Sequence, residues 1–314
     1  MKIVFAEPIS IKPDTARKLA SEWISKGHEL IVFPDRDERP ESLVHRLRDA
    51  EIGVVSNIPL SESVIRQCKR MKYLVVAFTG TDHIDLEACR ARGIKVSNAA
   101  GYSNESVAEL CLGLAISLYR SIPQADVQAR KPAGREGMTG FEIKGKTIGI
   151  IGTGRIGSRS AEIFRALGCR VLGVNRSGKA SAHWENVSLE TCLRKSDIIS
   201  LHVPLNKDSR HLITDKEIAM MKKSAIIINA ARGPVIDYTS LSRALHDNRI
   251  AGAAVDVYEK EPPVDKDHPL LSAPNCLLTP HIGYATNEAM AKRVDIVFEN
   301  ISAWMRGDWI RQAR

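Results

Sequence analysis

Arg232, Glu261 and His281 are the side chains in this sequence best placed for acid–base chemistry on an anion, because each follows a short apolar run that reads as a parallel strand. In a parallel sheet the ligand lies beyond the carboxyl ends of the strands, so polar residues at those ends converge on one edge. Arg232 stands in Ala230-Ala231-Arg232-Gly233-Pro234, Glu261 follows the strand that ends at Asp256, and His281 stands in Thr279-Pro280-His281-Ile282-Gly283. A guanidinium grips a carboxylate through two parallel hydrogen bonds, and a histidine moves a proton near neutral pH. A glutamate bonded to that histidine orients it and raises its pKa. These are the parts needed to reduce a 2-keto acid. His202 and His83 also follow expected strands, so spacing alone leaves the choice among the histidines open.

A second constellation could hold a dinucleotide. Thr147-Ile-Gly-Ile-Ile-Gly152-Thr-Gly154-Arg155-Ile156-Gly157 reads as a buried strand, a glycine turn and the start of a helix. Gly152 permits the tight turn, Gly154 lets the backbone approach a pyrophosphate, and Gly157 lets the helix pack on the strand. The helix N-terminus then faces the anion. Apolar spacing over 156–167 predicts that helix, Gly168 ends it, and 170–174 reads as the next strand. Beyond it an NAD site offers a carboxylate to the ribose, whereas this chain has Asn175, Arg176, Ser177 and Lys179. A guanidinium, a hydroxyl and an ammonium suit a 2′-phosphate, so NADP(H) is expected to be preferred, with NAD(H) possible.

The elements that must position these groups alternate along the chain. Strands are expected at 2–5, 29–33, 52–55, 73–76 and 95–97, and again at 147–151, 170–174, 197–201, 225–229, 252–257 and 276–278. Interleaved helical patterns make this an α/β protein of two doubly wound parallel-sheet domains. An apolar segment, 106–119, suits a helix buried between them; the polar stretch 124–139 reads as a surface loop. A helix over 287–305 is expected to return to the first unit. The expected division is 1–99 plus 287–314 as the substrate domain and 100–286 as the dinucleotide domain, with a cleft between them.

The chain has 314 residues, 44% of them hydrophobic, and a formal charge of +8. Its Lys and Arg are spread among Asp and Glu with no basic arm, which argues against nucleic acid and for steering of small anions. No apolar run reaches membrane-spanning length and no signal-peptide pattern precedes the first strand, so a cytoplasmic protein without a membrane partner is expected. The six cysteines lack metal-ligand spacing and read as reduced structural thiols, and no metal site is expected.

Seven ordered motifs resemble the D-isomer-specific 2-hydroxyacid dehydrogenase family over nearly the whole chain. They are Gly80-Thr-Asp-His-Ile-Asp85, Ser106-Val-Ala-Glu109, the segment 149–157, Leu201-His-Val-Pro-Leu205, Asn229-Ala-Ala-Arg-Gly233, Asp256-Val257 with Glu261-Pro262, and Thr279-Pro-His-Ile-Gly283. The resemblance implies a flavodoxin-like substrate domain and a Rossmann dinucleotide-binding domain. It implies Arg232 as binder of the substrate carboxylate, His281 as acid in reduction and base in oxidation, and Glu261 as its partner. Asp256 would hold the nicotinamide amide, Thr79 and Gly80 would offer backbone N–H groups to the carboxylate, Val107 and Ala230 would lie near the nicotinamide, and Val203 and Pro204 would line the adenine side. A homodimer joined through its dinucleotide domains is also implied.

Departures from the family pattern bear on the substrate. Family members that act on phosphoglycerate carry basic residues after the third strand, where this chain has Val54-Val-Ser-Asn-Ile-Pro-Leu60, so a phosphorylated substrate is disfavoured. Phe78 replaces a small residue, which hints at a closed pocket, and a tryptophan frequent in the family is not evident in 128–134. The basic cluster resembles that of NADPH-using glyoxylate and hydroxypyruvate reductases, which makes small 2-keto acids the first choice. The alternatives are an NAD-linked D-lactate-type or branched-chain 2-hydroxyacid dehydrogenase, then a D-3-phosphoglycerate dehydrogenase. A dinucleotide-sensing corepressor is a further alternative, disfavoured because the chain ends soon after Met305 without the extended tail such proteins carry.

Overall fold

Short runs of Ile, Val and Leu, too short for helices and bounded by turn residues, form parallel strands buried on both faces. A computed structural model describes residues 1–131, 134–178, 181–260 and 264–313. The chain divides into two compact units, one of residues 1–103 and 286–314, the other of residues 104–285.

In the first unit the strands are β1 (Lys2–Phe5), β2 (Glu29–Val32), β3 (Ile52–Val55), β4 (Tyr73–Val76) and β5 (Lys95–Asn98), all parallel, in the order β2-β1-β3-β4-β5. This is the flavodoxin-like order, whose reversal of direction falls between β1 and β3. Alternate residues of three neighbouring strands, Ile3 and Phe5, Ile52 and Val54, Tyr73 and Val75, pack with Val294, Val297 and Ile301 of the C-terminal helix Asn287–Met305. Each such aliphatic side chain contributes about 1.5–3 kcal/mol on burial. Trp304 stacks on Tyr73 at 4.5 Å, so the end of the chain closes the core of its beginning.

The second unit holds β6 (Thr147–Ile151), β7 (Arg170–Val174), β8 (Glu185–Asn186), β9 (Ile198–Leu201), β10 (Ile226–Asn229), β11 (Gly252–Val255) and β12 (Cys276–Leu278). Their order is β12-β11-β10-β9-β6-β7-β8, the doubly wound dinucleotide-binding arrangement with its switch between β6 and β9. Neighbouring isoleucines of one strand serve opposite layers. Ile226 and Ile228 pack with Leu114 and Phe164, whereas Ile227 packs with Leu241 and Leu245.

Two elements depart from the sequence expectation. Within the expected loop 124–139 lies part of a helix, Ile122–Ala129, which buries none of its residues and leaves Ile122 and Val127 about half exposed. Helical periodicity is legible through a buried apolar stripe, and this helix has none. The two-residue strand β8 was also not expected; it extends the sheet through two pairs with β7 and is too short for an alternating pattern.

Candidate active site

The glycine turn follows β6 directly. Gly152 has φ +97°, and a Cβ on it would lie 2.7 Å from the carbonyl of His202, so both the backbone angle and the neighbouring strand end demand glycine. A Cβ on Gly157 would overlap the carbonyl oxygen of Gly152, so closely does the helix Arg155–Ala166 meet the turn. At Gly154, the residue capping that helix, a Cβ would meet nothing within 4 Å. Gly154 and Arg155 are exposed at a helix start with open space beside Gly154, and these residues fit a pyrophosphate. Gly152→Ala is expected to lower stability by about 2–5 kcal/mol, the sum of strain and overpacking, and to abolish dinucleotide binding. Thermal unfolding with and without cofactor checks both.

Arg155 is exposed at the helix start, while Ile156 packs against the same cluster as Val107 and, partly buried, Ala230. Val203 packs on the opposite layer and Pro204 is exposed beyond it. His202, between Ser200 and these residues, bonds through Nε2 to Ser200 Oγ at 2.8 Å, and burial pushes its pKa down to about 4. A neutral, bonded imidazole of this kind is a structural histidine.

After β7, the Asn175 amide donates to Thr153 Oγ1 at 3.0 Å and to Asn186 Oδ1 at 3.1 Å, and its Oδ1 accepts from the Ser177 hydroxyl at 2.9 Å. Asn175 thus ties the basic turn to the glycine turn. Arg176 pairs with Asp208 at 2.8 Å. Sequence reasoning missed Asp208, which lies 32 residues away in a turn where Asn206 Oδ1 accepts from the N–H groups of Asp208 and Ser209. Both partners are more than 70% exposed, so the pair is worth about 0–1 kcal/mol and yields readily to a doubly charged phosphate. Lys179 lies outside the described residues.

Arg232, Asp256 and His281 follow β10, β11 and β12, three adjacent strands. Buried Asn229 organises the first loop. Its amide donates to the Arg232 carbonyl at 2.9 Å and to Tyr238 Oη at 2.8 Å, and its Oδ1 accepts from Ala231 N–H. Arg232 is half-buried, with Nη1 donating to the Ala231 carbonyl at 2.7 Å.

Asp256, 1% exposed, organises the last loop. Its Oδ1 accepts from Thr279 Oγ1 at 2.6 Å and Ile282 N–H at 2.8 Å, and Oδ2 accepts from Gly283 N–H at 2.8 Å. Burial pushes its pKa up, opposed by these three bonds and by the charge of His281. A carboxylate has about four acceptor sites, so one remains for an amide. Between the clamped residues His281 adopts φ +57°, a left-handed conformation, with its ring edge-on to Tyr284 at 5.2 Å. A Cβ on Gly283 would touch Val107 at 3.4 Å and Asp256 at 2.9 Å, so Val107 borders this loop. Glu261 lies outside the described residues.

Thr79 and Gly80 belong to the first unit, in the loop after β4, where Asn98 Nδ2 holds the Thr79 carbonyl at 2.8 Å. Phe78 is buried against Tyr102 at 6.2 Å between ring centres, and His83 bonds to the Ser56 carbonyl at 3.0 Å. The six cysteines are free and five are buried. Burial pushes the Cys68 thiol up to about 11 and the Cys111 thiol to about 12, which leaves them protonated and inert near neutral pH. Among the described residues no group of three or more His, Cys, Asp or Glu could hold a metal ion, and no helix is long and apolar enough to cross a membrane.

A dinucleotide-binding sheet order, a glycine turn opening on a helix start, and arginine and histidine at strand ends on one edge of that sheet define a nicotinamide-dependent dehydrogenase class. Residues 112–283 match the model of the D-isomer specific 2-hydroxyacid dehydrogenase NAD-binding domain. The chain belongs to this family of oxidoreductases. It is 34% identical to a glyoxylate reductase of Thermococcus litoralis over 91% of this chain and 90% of that one. It is 41% identical to a D-3-phosphoglycerate dehydrogenase of Methanocaldococcus jannaschii over 85% of this chain, and the match spans 52% of that enzyme. Among solved structures, an acyclic imino acid reductase in complex with NADPH and D-Arg superimposes with a TM-score of 0.92 at 32% identity, covering 100% of both chains.

Proposed function

We propose that this protein reduces a short 2-keto acid to the D-2-hydroxy acid, with NADPH preferred over NADH. The observation that carries the reading is the pair of loops clamped by Asn229 and Asp256, which present Arg232 and His281 at the ends of β10 and β12, the strands on either side of β11. The dinucleotide, held at the glycine turn, supplies the hydride. Arg232 holds the keto acid by its carboxylate, His281 gives a proton to the developing alkoxide, and Glu261 orients the imidazole. Asp256 keeps the His281 loop in place and offers its remaining lone pair to the nicotinamide amide. Thr79 and Gly80 offer N–H groups to the substrate carboxylate. Val107 and Ala230 contact the nicotinamide, and Val203 and Pro204 the adenine side.

The preference for NADPH rests on Arg176, whose carboxylate partner among the described residues, Asp208, is exposed and weakly held, and is in keeping with the NADPH named for the imino acid reductase. Glyoxylate and hydroxypyruvate are the acids to test first, given the named activity of the Thermococcus relative. Exposed Ile122, Val127 and Phe141 in the second unit support a homodimer formed through that unit, and the free buried thiols suit a cytoplasmic setting.

The test is initial-rate oxidation of NADPH and of NADH against glyoxylate, hydroxypyruvate, pyruvate and 2-ketoisocaproate. Arg176→Ala is expected to weaken NADPH about 10- to 100-fold, the worth of a charge-assisted phosphate contact, and NADH hardly at all. Equal losses for the two cofactors would remove the 2′-phosphate reading. No turnover with any pair would remove the reductase itself.

A further inference from the structure

We propose that Arg293, with Ser10 and Ser56, is an anion-binding site of the first unit for the substrate, so that the preferred 2-keto acid carries an anionic group, carboxylate or phosphate, besides its 2-keto carboxylate. This rests on the reductase reading above and names its substrate class. Arg293 lies on the C-terminal helix of the first unit and is 4% exposed. Its Nη1 donates to Ser56 Oγ at 3.3 Å and its Nη2 to Ser10 Oγ at 2.6 Å, while its Cζ stands 5.9 Å from the Tyr102 ring centre. These partners are neutral. Among the described residues no carboxylate lies within 4.0 Å of it, and Nε is buried without a hydrogen-bond partner.

The other buried arginine of the described chain shows what structural burial requires. Arg46 is paired to Asp35 at 2.6 Å and donates to the carbonyls of Ala6 and Asp35. A guanidinium taken from water without a counter-ion is costly unless an anion arrives to complete it. The buried carboxylate on these same loops, Glu7, is committed elsewhere, to Arg36 at 2.6 Å and to the N–H groups of Ser56 and Ile58.

Position supports the same conclusion. Ser10 follows β1 and Ser56 follows β3, the two strands between which the sheet order reverses, and ligands of open parallel sheets bind at that crevice. On the next strand Thr79 follows β4, and its Oγ1 is likewise buried and unpartnered. The lack of cations within 54–60 therefore does not leave this edge uncharged, because residue 293 brings a guanidinium to Ser56 from the far end of the sequence.

The experiment compares kcat/KM, with the preferred cofactor, for hydroxypyruvate and glyoxylate against oxaloacetate and 3-phosphohydroxypyruvate, in the wild type and in Arg293→Gln and Arg293→Lys. The wild type is expected to favour one of the two acids with a second anionic group, oxaloacetate or 3-phosphohydroxypyruvate, over hydroxypyruvate by about tenfold or more, and which of the two it favours tells carboxylate from phosphate. Arg293→Gln is expected to lower that ratio about 10- to 100-fold, with partial recovery in Arg293→Lys. A wild type that prefers hydroxypyruvate, or a variant that loses all four acids equally, would overturn the proposal while leaving the reductase intact. Should Arg293→Gln fail to fold, the wild-type ratio still decides. Should no acid turn over, calorimetric titration of the wild type with malonate against acetate at matched ionic strength decides, since equal binding removes the site.

Discussion

Exchanging His281 for Asn is expected to lower kcat for keto-acid reduction about 10²- to 10⁴-fold, the usual worth of a positioned general acid, with a much smaller change in KM. The argument rests on the loop more than on the residue type. Asp256 takes the N–H groups of Ile282 and Gly283 and the hydroxyl of Thr279, so the backbone is anchored on both sides of position 281. The residue between is held at φ +57°, a conformation that histidine tolerates better than branched side chains and that the anchored loop imposes. An Asn at this site keeps the backbone preference and a hydrogen-bonding group but cannot deliver a proton. Steady-state kinetics of the folded variant separate the outcomes. A kcat within threefold of the wild type would show that the proton comes from another group.

Arg232→Ala is expected to cut kcat/KM for the keto acid about 10²- to 10⁴-fold, chiefly through KM, with little change in the dissociation constant of NADPH. Two parallel charge-assisted bonds to a carboxylate are worth about 1.5–3 kcal/mol each, and each 1.36 kcal/mol is tenfold. Arg232→Lys should recover little, because a point charge lacks the fork that matches both oxygens. The Arg232 carbonyl is gripped by Asn229 through the backbone, so the substitution leaves the loop scaffold standing. Equal weakening of NADPH and keto acid would instead indicate that the loop itself had collapsed.

Much of this architecture is legible in local sequence. The runs Ile148–Ile151 and Ile226–Ile228 bury both faces and so read as continuous apolar strands, and Gly152 marks a turn that no other residue could make. Where burial is missing the signal is missing too. Helix Ile122–Ala129 leaves its Ile and Val in water, and β8 is too short to alternate, so neither announces itself.

Residue types and strand ends by themselves placed Arg232, Asp256 and His281 at the carboxyl edge of one unit without choosing among the histidines, and Thr79 entered only through the family resemblance. They did so because position after a parallel strand is a local property of the chain. Only the tertiary structure decided what those groups touch. Asp208 meets Arg176 from 32 residues away, Asp256 binds a loop 26 and 27 residues on, and Arg293 reaches Ser10 and Ser56 across 283 and 237 residues. Such pairings depend on strand order and on which helix returns to which sheet, and these are settled by burial of apolar faces throughout each unit, which a spacing between neighbours does not encode.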